Sequence, residues 1–64
     1  MMSLSIRAQE IEGVYQVKIV ARMKGRSQKR RILRGVKPED LKAAVDAAVA
    51  ELAGEYANQQ NPVL

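Results

Sequence analysis

The chain has 64 residues, with 11 Lys and Arg against 7 Asp and Glu, a net charge of +4, and no Cys, His, Trp or Phe. Its length sets one small domain. Its missing residues exclude a disulfide framework, a thiolate or imidazole metal site, and any Ser-His or Cys-His nucleophile pair.

A chain this short buries only roughly 60% of its unfolded surface. Its apolar residues are Ala, Val, Leu, Ile and Met, with two aromatics, Tyr15 and Tyr56. Such side chains make a thin core that a second copy, or another partner, can complete. No apolar run approaches the roughly 20 residues of a membrane span. No basic stretch followed by an apolar run marks a secretory signal, and the absence of Cys fits a cytoplasmic location.

Leu4, Ile6 and Ala8 alternate with Ser5, Arg7 and Gln9. This period of two predicts a half-buried strand over residues 3–11. Glu12-Gly13 reads as a hairpin turn. Residues 14–23 carry the strongest strand pattern. Tyr15, Val17, Ile19, Ala21 and Met23 share one face, and Val14, Gln16, Lys18, Val20 and Arg22 share the other. Residues 24–28 form a loop around Gly25.

Residues 29–36 read as a third strand whose register the sequence leaves open. If Ile32 and Val36 point inward, Arg30 and Arg34 share their face; if Leu33 points inward, Arg31 and Gly35 do. A one-residue slip exchanges the two. Pro38 suits the first position of a helix, and Glu39 and Asp40 meet the positive end of its dipole. Leu41, Val45, Ala48, Val49, Leu52 and Tyr56 then recur at helical spacing, with Gly54 able to end or loosen the helix. The expected architecture is α+β: a three-stranded antiparallel sheet followed by one C-terminal helix packed on one sheet face. Residues 1–57 form the domain and 58–64 a flexible C-terminal tail.

The charge is segregated. Residues 18–37 hold Lys18, Arg22, Lys24, Arg26, Lys29, Arg30, Arg31, Arg34 and Lys37 and no acid, whereas the flanking stretches are net negative. Such a ribbon repels itself, and a polyanion relieves that repulsion. Arg predominates, and the guanidinium group suits bidentate contacts to phosphate and guanine. Lys18, Arg22, Lys24, Arg26, Lys29, Arg30, Arg31 and Arg34 are therefore the candidate nucleic-acid contacts, with duplex DNA the favoured ligand. Charged strands also guard sheet edges, and a basic ribbon can instead dock on an acidic protein or be solvated. Only Tyr15 could serve as a base-stacking platform; packing explains both tyrosines more simply.

Acid–base candidates are few. Glu39 and Asp40 are accounted for by the helix start, Asp46, Glu51 and Glu55 by the exposed helix face, and Glu10 and Glu12 by a solvated edge. The four glycines are isolated, so no phosphate-cradling loop is present. The expectation is a non-enzyme without cofactor or metal.

Gly13-Val14-Tyr15-Gln16-Val17-Lys18-Ile19, the basic turn at Gly25, Arg30-Arg31-Ile32-Leu33 and the following helix resemble the N-terminal arm-type DNA-binding domain of phage and transposon tyrosine recombinases. The resemblance covers residues 13–53 and implies three antiparallel strands and a helix, with the sheet laid in the major groove. It implies Lys18, Arg22, Arg30 and Arg34 as groove-facing residues. The chain departs from the family where an aromatic is common in the third strand, at Ile32 or Leu33, and where a Thr precedes the helix, at Val36-Lys37.

Two readings follow. The first is a small basic DNA-binding protein, regulatory and of phage or mobile-element type, with homodimerisation through the helix stripe or a strand edge. The second is a protein-binding accessory factor, an inhibitor or assembly protein, that docks its ribbon or strand edge on an acidic partner.

Overall fold

A computed structural model describes residues 2–60. Three strands, β1 (Met2–Ile11), β2 (Val14–Met23) and β3 (Lys29–Val36), form one antiparallel sheet in the order β1-β2-β3. A single 3-10 turn, Pro38–Asp40, leads into helix α1, Leu41–Gln60. The α+β architecture expected from the sequence is the one observed.

The first hairpin is set by its turn. Glu12 (φ 52°) and Gly13 (φ 86°) both have positive φ, as a two-residue type I′ turn requires. Ile11 and Val14 close it, and the register runs on from there through Arg7 opposite Lys18 to Met2 opposite Met23. The second connection begins with a tight turn in which the Arg26 amide donates to the Met23 carbonyl over 2.9 Å. Gly25 takes φ 76° within it.

The register of β3 is resolved by a bulge. Leu33 pairs with Val17 and Val36 with Tyr15, so Arg34 and Gly35 together oppose Gln16. Gly35 takes φ 66°, a conformation that glycine adopts without cost. The extra residue resets the alternation. Leu33 and Val36, three positions apart, both reach the helix side: Leu33 and Arg31 follow the alternative with Leu33 inward, Ile32 lies on the open face opposite Lys18, and only Val36 follows the alternative that turned Ile32 inward.

The helix lies over β2 and β3. Val17, Ile19 and Ala21 are fully buried beneath Ala48, Leu52 and Tyr56, and Leu33, Leu41, Val45 and Val49 pack around them. Leu52 and Tyr56 confirm the helical stripe read from the sequence. Gly54 does not end the helix, which continues to Gln60, three residues into the stretch expected as tail. The rest of that tail, 61–64, lies outside the described residues.

One expectation is corrected. Leu4 and Ile6 share the helix-side face of the sheet, yet they remain 42% and 46% exposed. The alternation of β1 is genuine, but α1 packs over the other two strands and leaves this row largely uncovered. Among the described residues no helix is long and apolar enough to cross a membrane.

Candidate nucleic-acid interface

Directly opposed residues of an antiparallel pair share a face. The face turned away from α1 therefore carries Arg7, Lys18 and Arg22 from β1 and β2. Arg30, opposite Val20, adds to it from β3, and alternation from Leu33 places Arg34 there as well. No described residue of the three strands on this face is acidic. Arg7 stands directly opposite Lys18, so like charges are held side by side.

A shallow depression of about 350 Å³ lies on this face, lined by Ser5, Arg7, Lys18, Val20 and Arg22. Three cations and a hydroxyl around an open hollow form an environment suited to a phosphate group. Arg22 is steadied at its rim: its Nε donates to Gln28 Oε1 over 3.1 Å. Ile11 and Ile32 are also exposed here, at 44% and 45%.

The opposite face treats its cations differently. Lys29 and Arg31 lie opposite Ala21 and Ile19, beneath the helix. Arg31 donates through its Nε to Glu51 Oε1 over 3.4 Å and through its guanidinium to Glu55. Lys29 Nζ lies 3.6 Å from Glu55 Oε1 and 5.6 Å from the centre of the Tyr56 ring. Glu51 and Glu55, read from the sequence as exposed helix positions, thus tie the helix to β3.

The eight cations singled out by sequence separate into three groups. Lys18, Arg22, Arg30 and Arg34 are brought together on the open face. Lys29 and Arg31 are engaged by helix carboxylates on the other. Lys24 and Arg26 occupy the 24–28 loop, with Lys24 exposed and Arg26 half-buried. One guanidinium nitrogen of Arg26 is buried without a hydrogen-bond partner. Arg7 joins the open face although it lies outside the acid-free segment 18–37. Counting outward from the Glu12-Gly13 turn would have placed it opposite Lys18.

The loop is anchored from the helix. The Tyr56 hydroxyl lies 2.7 Å from the Ser27 carbonyl oxygen and 3.0 Å from that of Ala21. Its single proton serves one of the two at a time. Tyr56 thus fills the core and pins the strand end beside Arg22. Among the described residues, no three or more His, Cys, Asp or Glu are grouped so as to hold a metal ion. No family model, curated protein or solved structure matches this chain.

Proposed function

We propose that this chain binds nucleic acid, with duplex DNA the favoured form, through the open face of its sheet. The carrying observation is the sorting of strand cations. Lys29 and Arg31 are neutralised by Glu51 and Glu55, whereas Arg7, Lys18, Arg22, Arg30 and Arg34 share a face without a carboxylate. A face of that kind attracts a polyanion and contacts its phosphates without regard to sequence. The grouping of Lys18, Arg22, Arg30 and Arg34 is also what the resemblance to arm-type DNA-binding domains implies, and it supports the reading to that extent.

Fluorescence anisotropy with labelled duplex DNA, single-stranded DNA and RNA, titrated with salt, tests the proposal. On duplex DNA the affinity falls with a log–log slope of about −0.9 for each phosphate contacted. Replacing Arg30 and Arg34 by Ala weakens binding across unrelated sequences and flattens that slope. Binding left intact by the double substitution overturns the assignment of the open face.

A second reading rests on Ile11 and Ile32, the exposed apolar side chains among these cations. A mixed apolar and basic face also fits an acidic protein surface. No binding to any nucleic acid at low salt, together with capture of a defined acidic protein, would favour it.

A further inference from the structure

We propose that two copies of this chain pair antiparallel through the free edge of β1, building a six-stranded sheet across a two-fold axis. The sheet has two edges of different character. In β3, Lys29, Arg30, Arg31 and Arg34 crowd an eight-residue strand that also carries the Gly35 bulge; charge and irregularity of this kind discourage further pairing. By contrast, β1 runs for ten residues with a regular register against β2, no proline, and only Arg7 and Glu10 charged. A long, regular and weakly charged edge is a template for another strand.

Its geometry selects its own copy. A two-residue turn makes Ile11 and Val14 a hydrogen-bonded pair, so the odd-numbered residues of β1 direct their amide groups toward β2. Leu4, Ile6 and Ala8 direct theirs to the open edge. A two-fold axis normal to the sheet at Ile6 sets Ile6 against Ile6 and Leu4 against Ala8, with about ten new backbone hydrogen bonds. Arg7 then faces Ser5 and Glu10 faces Met2, so no like charges are directly opposed; the two Arg7 side chains stand as diagonal neighbours on the open face, where they can diverge into solvent. The exposed row of Leu4 and Ile6 meets the same row of the second copy, extending a core that has six buried members among the described residues of one chain. Among the described residues α1 packs mainly on β2 and β3 and leaves the row of β1 exposed.

The pairing does not depend on nucleic acid, but it doubles the basic face. Six strands at about 4.8 Å spacing measure about 24 Å across. That exceeds the major-groove width of about 12 Å, so a dimer straddles the groove rather than entering it.

Light scattering during size exclusion, in buffer free of nucleic acid and at submillimolar concentration, tests the association. The chain elutes as a dimer of 7.1 kDa subunits, and Ile6→Lys elutes as a monomer with unchanged far-ultraviolet circular dichroism. A monomeric wild type, or a folded Ile6→Lys that stays dimeric, overturns the proposal. A second measurement holds even if that variant fails to fold. The chain has no cysteine, so Ile6→Cys introduces a single thiol. A facing pair lies about 5.5 Å apart between Cα atoms, within disulfide range. Ile6→Cys links into a dimer under mild oxidation, and Ala8→Cys, displaced about 13 Å from its counterpart, does not. Failure of Ile6→Cys to link, or preferential linking through Ala8→Cys, overturns the pairing centred on Ile6.

Discussion

Arg30 and Arg31 are neighbours in the chain and lie on opposite faces of the sheet: Arg30 stands against Val20 on the open face, and Arg31 against Ile19, where Glu51 and Glu55 engage it. The two arginines therefore do different work, and single substitutions separate them. Arg30→Ala lowers DNA affinity with little change in the urea midpoint. Arg31→Ala leaves the open face intact and destabilises the fold by about 0.2–1 kcal/mol, the range for a solvent-screened ion pair. Equal effects on both properties from both variants would show that the faces are not separate.

Arg7 and Lys18 are directly opposed on the open face. Arg7→Glu turns a repulsive cross-strand pair into an attractive one and stabilises the fold by about 0.2–1 kcal/mol. On the proposed reading the same change weakens DNA binding, because it sets a carboxylate in the hollow lined by Lys18 and Arg22. Thermal melting and anisotropy on this one variant should move in opposite directions.

Tyr56 combines packing with a hydrogen bond. Tyr56→Phe keeps the ring and loses the hydroxyl near Ser27 and Ala21, at a cost of about 1 kcal/mol. Amide exchange in the 24–28 loop should accelerate. Tyr56→Ala also empties the centre of a small core and costs about 3–5 kcal/mol, enough to unfold much of the population. Circular dichroism during urea titration distinguishes the two losses.

The first turn and the β3 bulge give a pair of predictions with opposite signs. Glu12 holds a positive φ in a two-residue turn, where Asn is better suited than Glu. Glu12→Asn therefore raises stability by about 0.5 kcal/mol. Gly35 has open space where a Cβ would go, so Gly35→Ala meets no clash but must adopt the left-handed conformation, costing about 1–2 kcal/mol. Thermal melts of the two variants, compared with wild type, check both signs.

The elements that followed from the sequence are those set by local chemistry. The turn at Glu12-Gly13, the alternation of residues 14–23 and the stripe from Leu41 to Tyr56 each specify their structure within a few residues. The register of β3 did not follow, because the bulge at Gly35 changes the alternation and no residue type compels one. Nor did the pairing of Glu51 and Glu55 with Arg31 and Lys29, which depends on how the helix crosses the sheet. The same crossing leaves Leu4 and Ile6 exposed despite an apolar pattern. For the interface, composition found the basic segment, but only strand pairing separates Lys18, Arg22, Arg30 and Arg34 from Lys29 and Arg31 and adds Arg7.

The acid-free open face has a consequence for folding itself. Forming the sheet gathers five cations that the unfolded chain can hold apart, so the native state carries a repulsive burden that a multivalent anion removes. An anion that prefers the gathered arrangement binds the folded chain more tightly than the unfolded one and shifts the equilibrium toward it. The protein would thus be most robust while occupied, and its melting temperature would act as a label-free gauge of occupancy.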